Sequence, residues 1–146
     1  MQHIQQRVRR VATHTVSVGA LALSACAAAT GIPADANTAR IFINGEEIPT
    51  TFPVLCTQRS WMWTIETQPE APGFTAIIQT GGGPVEPKLM RLTGIDGFTG
   101  SSANVTSPAD AGIEGTTFRI SGTARGWFSD RPTRPTEVQY RMEARC

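Results

Sequence analysis

From Ile41 to the end of the chain, apolar residues recur at every second position in one segment after another, the period of a strand with one buried and one wet face. The last segment is the clearest. Val138, Tyr140, Met142, Ala144 and Cys146 share one parity, and Glu137, Gln139, Arg141, Glu143 and Arg145 share the other. A second runs through Thr116, Phe118, Ile120, Gly122 and Ala124, against Thr117, Arg119, Ser121, Thr123 and Arg125. Ile41 and Ile43 lead into Asn44-Gly45, a strong tight-hairpin signal, with the partner strand expected around Thr51–Thr57, where Phe52, Val54 and Cys56 share a face. Trp61, Trp63 and Ile65 form the next inward set, then Phe74, Ala76 and Ile78. Residues 86–94 and 97–106 add one strand each. Most of the chain's fourteen glycines and ten prolines fall in this region and leave little room for helix. The expected fold is mainly β, a small antiparallel β-sandwich or strongly curved sheet, preceded by an N-terminal signal helix.

Upstream the pattern changes. Arg7, Arg9 and Arg10 precede an uncharged run from Val11 to Leu23. At about 1.5 Å per residue such a run reaches roughly 20 Å as a helix, short for a membrane span but suited to a signal peptide. It ends in Leu23-Ser24-Ala25-Cys26, which resembles a bacterial lipobox. The Cys26 thiolate would take up a diacylglyceryl group. The peptidase would then cut between Ala25 and Cys26, with Leu23 filling its apolar subsite and small side chains admitting the scissile bond. Two other readings are an N-terminal helix of the folded domain and an ordinary secretory signal cut after Ala27 or Ala28. The organisation expected is residues 1–25 as lipoprotein signal peptide, residues 26–37 as lipidated cysteine and flexible tether, and residues 38–146 as one β domain.

Removal of residues 1–25 restricts the chemistry available. Both histidines, His3 and His14, are discarded, and with them the usual general base and metal ligand. Three arginines go too, leaving ten Lys and Arg against twelve Asp and Glu, too sparse a basic set for nucleic-acid binding. With Cys26 committed to lipid, the remaining thiols are Cys56 and Cys146. An isolated pair outside the cytoplasm is expected to form a disulfide. A catalytic thiol would lack a histidine partner, and a zinc site would lack two further ligands. No cofactor, no metal and no catalytic residue is expected.

Taken together, these features resemble the mycobacterial 19 kDa lipoprotein antigen family. The lipobox cysteine and tether are followed by an apolar strand ending in a turn, Ile41-Phe42-Ile43-Asn44-Gly45, then by a cysteine in Val54-Leu55-Cys56-Thr57. Near the end stands Phe118-Arg119-Ile120-Ser121-Gly122-Thr123-Ala124-Arg125-Gly126, and an alternating strand closes on Cys146. The resemblance spans about residues 23–146. It implies an acylated protein on the extracytoplasmic face of the cell envelope, surface-exposed, without enzymatic activity, and seen by host lipoprotein-sensing receptors through its acylated N-terminus. This chain departs from the pattern in having few Ser and Thr in the tether and in carrying Trp61, Trp63 and Trp127.

Two motifs invite a ligand. Trp61 and Trp63 would make a stacking platform, or simply core. The segment Arg125–Pro135 reads as a loop carrying Trp127, Phe128 and the arginines Arg125, Arg131 and Arg134. Such a set suits a phosphate or carboxylate headgroup, or else is a loop whose aromatics fold back while the arginines stay solvated. Gly81-Gly82-Gly83-Pro84 lacks the Gly-Lys-Ser/Thr of a phosphate loop and reads as a turn. The sequence therefore favours a displayed, lipid-anchored interaction domain. The alternative is a lipid or glycolipid carrier of the envelope, which requires a cavity between sheet and loop.

Overall fold

The computed structural model describes residues 36–103 and 109–146; the signal peptide expected at 1–25, and the lipidated cysteine and tether expected at 26–37 as far as residue 35, lie outside the described residues. Eleven strands follow one another: β1 (Thr38–Ile43), β2 (Glu46–Glu47), β3 (Phe52–Pro53), β4 (Leu55–Arg59), β5 (Met62–Glu66), β6 (Gly73–Gln79), β7 (Glu86–Ile95), β8 (Phe98–Ala103), β9 (Ala109–Glu114), β10 (Thr117–Phe128) and β11 (Thr136–Arg145). They form one antiparallel sheet in the order β2-β1-β11-β10-β8-β7-β6-β5-β4, with β3 on β1 and β9 on β10. Every strand of that path bonds to its neighbour, so the curved-sheet form of the expectation holds, and among the described residues there is no second sheet to make a sandwich. Val54 alone separates β3 from β4. The same short segment thus begins on β1 and continues onto β5, bringing the two flanks of the curled sheet round to each other.

The inward face follows the alternation. Ile41, Ile43, Ile65, Phe74, Ala76, Ile78, Phe118, Ile120, Ala124, Val138, Tyr140, Met142 and Ala144 are all buried, joined by Met90, Leu92, Ile95 and Phe98 from β7 and β8. Strong curvature needs places where backbones approach closely. Gly126 of β10 lies opposite Gly100 of β8. A Cβ on Gly126 would stand 1.9 Å from the Thr99 carbonyl oxygen, and one on Gly100 would strike both the Arg125 carbonyl and the Phe98 ring. The buried Phe98 ring covers this bare stretch and meets Phe128 edge-on at 5.3 Å. The long β10 is shared: β8 pairs with its Arg125–Phe128 end, and β9 with Thr117–Gly122.

Four local expectations need correction. The hairpin partner of β1 is Glu46–Glu47, whereas the 52–59 segment pairs with the other end of β1 and then with β5. Trp61 is not core; it sits at the β4–β5 turn, 66% exposed, because Ser60 adopts a positive φ and reverses the chain there. Arg125–Phe128 is strand rather than loop, since Gly100 and its neighbours on β8 extend the ladder to Phe128. Finally β9 was not foreseen, because Ala109–Glu114 has no clear alternation and owes its conformation to pairing with β10.

One polar pair lies within the core. Ser102 is buried and its hydroxyl has no fully formed hydrogen bond, although it lies close enough to Tyr140 to favour the phenolate slightly. Burial dominates and raises the Tyr140 pKa above 10.0. Because the folded-state value is the higher one, the protonated phenol stabilises the fold fully below about pH 10 and that contribution is lost as pH rises through the raised value. Tyr140 is the single tyrosine, so its phenolate absorbance should rise only at a pH above the ordinary tyrosine value. A simple titration at the ordinary tyrosine value would contradict the burial. Ser102→Ala removes the incompletely satisfied hydroxyl and should change stability by less than about 1 kcal/mol, or raise it, in urea unfolding.

Candidate functional site

Antiparallel pairing gives the domain two distinct ends. At one lie the start of β1 at Thr38, the end of β11 at Arg145, the β9–β10 turn, the end of β6 and the β4–β5 turn. At the other lie the Asn44-Gly45 turn, the Asp96-Gly97 turn and the β10–β11 connection. The Arg and Trp segment belongs to the second end. The connection is wound by two successive turns, in which the Arg131 amide donates to the Phe128 carbonyl and the Arg134 amide to the Arg131 carbonyl. The Ser129 amide pins it to Gly97 at 2.9 Å.

The four candidate ligand residues do not converge. Arg125 is held by Glu137 on the neighbouring strand. The Arg131 guanidinium lies over the half-buried Phe128 ring at 5.5 Å and pairs with Asp130 at 3.2 Å. Arg134 is exposed. Trp127 is 46% exposed and points away from the core, its parity opposite to that of Phe128. A shallow depression of about 200 Å³ here is lined by Arg125, Pro135, Thr136 and Glu137, without Trp127, Arg131 or Arg134. The pattern therefore matches the reading in which an aromatic folds back and the arginines remain solvated.

Cys56 and Cys146 are joined, with Cα atoms 5.9 Å apart. The bond links β4, the last strand of the sheet path, to the residue following β11. Beside it opens an apolar depression of about 310 Å³, lined by Trp63, Thr80, Ile113, Gly115, Thr116, Phe118 and Cys146. Trp63 packs on Phe118 at 4.9 Å. The Trp61 indole lies flat on Gly81, where an added Cβ would meet its ring at 2.4 Å, and the Trp61 carbonyl accepts the Thr80 amide.

An outer-face cluster also escaped the sequence reading. Phe42, out of phase with Ile41 and Ile43, is buried on the wet side beneath Arg141 at 3.9 Å and Arg40 at 5.8 Å. Arg40 donates to Glu143 at 2.6 Å, and Glu143 stands directly opposite both Arg40 and Arg119 in the strand registers. The signal was present: an aromatic on the polar parity, with Arg40 two residues before it on β1 and Arg141 facing it on β11. Cation–π contact and ion pairing here cover the β1–β11 seam.

A lipobox-like cysteine and tether upstream, an all-β curled sheet, and a disulfide between the first domain cysteine and the last residue form one consistent set. The family model for the Mycobacterium 19 kDa lipoprotein antigen matches residues 33–146. The chain belongs to that family. Relatives of this 19 kDa lipoprotein antigen family include lipoprotein LppE of Mycobacterium tuberculosis, 30% identical over 92% of this chain and 94% of that protein. Lipoprotein LpqH of the same species is 28% identical over 78% of this chain and 72% of its own length. A protein of Mycobacterium indicus pranii that also bears a lipoprotein name is 30% identical over 96% of this chain and 99% of its own. The 19 kDa antigen family carries the name of a lipoprotein antigen and not of an enzyme, and membership implies lipid anchoring in the cell envelope.

Proposed function

We propose that this protein is anchored through acyl chains on Cys26 to the extracytoplasmic face of the envelope membrane, and acts by displaying its β domain, and its acylated N-terminus, to protein partners that include host lipoprotein-sensing receptors. The observation that carries this reading is Leu23-Ser24-Ala25-Cys26 in a chain of a lipoprotein family. A non-catalytic role is supported by the placement of both histidines before Cys26 and by the use of Cys56 and Cys146 in a disulfide. Display is favoured over lipid carriage because side chains fill the interior of the curled sheet. The apolar depression beside the disulfide is open to solvent.

The test is detergent phase partition of the chain exported in a mycobacterial host. Wild type should enter the detergent phase and Cys26→Ala the aqueous phase, because each acyl methylene buried contributes about 0.8 kcal/mol. A Cys26→Ala protein that still partitions with detergent would count against the anchor.

A further inference from the structure

We propose that the strand end through which the chain enters the domain is a membrane-seating surface, with Trp61 as its interfacial anchor and Arg59 and Arg145 as cations facing anionic lipid headgroups. This rests on the Cys26 anchor of the preceding reading and adds an orientation to it.

Strand polarity supplies the first observation. Thr38 starts β1 opposite Arg145, so the tether joins the domain at the end that also carries the β4–β5 turn and the mouth lined by Trp63, Phe118 and Cys146. Eleven residues, 27–37, separate Cys26 from β1. Even fully extended they reach only about 40 Å. The entry end is held near the bilayer and has little distance to close.

The second observation is the indole itself. Trp61 exposes 66% of its surface while its other face rests on Gly81, so it needs no rearrangement to meet a lipid interface. Large aromatic rings with a polar N–H favour the headgroup level. Apart from Trp61 and Trp127, the exposed large hydrophobic residue is Leu55, on β4.

Charge complementarity gives the third. At the entry end Arg40, Arg59, Lys88, Arg119 and Arg145 stand against Glu86, Glu114 and Glu143. Glu86 is paired to Lys88 and Glu114 to Arg119, whereas Arg59 and Arg145 have no ion-pair partner among the described residues. The opposite strand ends and loops carry Glu46, Glu47, Glu66, Glu70, Asp96 and Asp130 against Arg131 and Arg134. An anionic bilayer attracts the first end and repels the second, over about a Debye length. The orientation also leaves Trp127 and the β10–β11 connection outermost, where a protein partner would meet them.

The experiment uses the full acylated chain in vesicles of phosphatidylcholine, with or without phosphatidylglycerol, carrying brominated acyl chains that quench nearby indoles. Flotation of the vesicles reads the anchor, and quenching reads the seating. In mixed vesicles the emission should fall by about a third, the share of one tryptophan in three. Trp61→Phe should abolish the fall and Trp127→Phe should keep it. Arg59→Gln with Arg145→Gln, or high salt, should weaken it, as should vesicles of phosphatidylcholine alone. Flotation without quenching, or quenching unchanged by Trp61→Phe, would overturn the seating and leave the anchor standing. Failure to float would remove the anchor and the seating with it.

Discussion

Replacing Cys56 and Cys146 together by serine is expected to lower the unfolding free energy by about 4–5 kcal/mol, the largest loss for any change outside the buried core. The bond closes a loop of 90 residues, which includes nearly the whole sheet. In the chain-entropy account, opening so long a loop releases much conformational freedom in the unfolded chain. The native site contributes as well. β4 is the terminal strand of the path, paired along its length only with β5, and Cys146 follows the last strand. Without the bond, both are free to fray. Thermal unfolding with and without reductant should show a midpoint lower by about 20 °C in the serine variant and in the reduced wild type. A fall of only a few degrees would mean that the β3 pairing to β1, not the disulfide, closes the curl.

Gly126→Ala should be the most disruptive single-methyl change in the domain, costing about 3 kcal/mol. The added Cβ would meet the Thr99 carbonyl at 1.9 Å and the Gly100 Cα at 2.5 Å, and both are backbone atoms that cannot swing aside. Relief requires opening the β8–β10 ladder where Phe98 and Phe128 pack. Gly112→Ala is the matched control, because nothing lies within 4 Å of its Cβ position. It should be neutral within about 0.5 kcal/mol. Equal losses for the two substitutions in urea unfolding would show that the close approach of β8 and β10 is not what holds the curl.

Much of the fold was legible because one face of nearly every long strand is buried and the other wet. The sets Phe74-Ala76-Ile78, Phe118-Ile120-Ala124 and Val138-Tyr140-Met142-Ala144 went inward as their period required. Misreadings arose where partner choice overrides pattern. Alternation assigns Trp61 the same parity as Trp63, yet a turn at Ser60 takes it out of the strand. Asn44-Gly45 marks a reversal, but the length of the returning strand depends on what else pairs on the same edge of β1, and β3 takes Thr38 and Ala39 there. The Arg and Trp set left two readings open in sequence, a headgroup site or a loop with solvated arginines. In space Arg125 turns to Glu137, Arg131 to Asp130 and Phe128, and Trp127 outward.

The sequence by itself determined the β class, most of the inward residues and the pairing of the two domain cysteines, since each depends on local periodicity or on residue type. The tertiary structure decided that the strands make one curled sheet, that β3 and β4 join its flanks, and that the entry point, Trp61, Arg59 and Arg145 share an end. Those outcomes depend on which strands pair and in what register, a choice made by contacts between residues as far apart as Cys56 and Cys146.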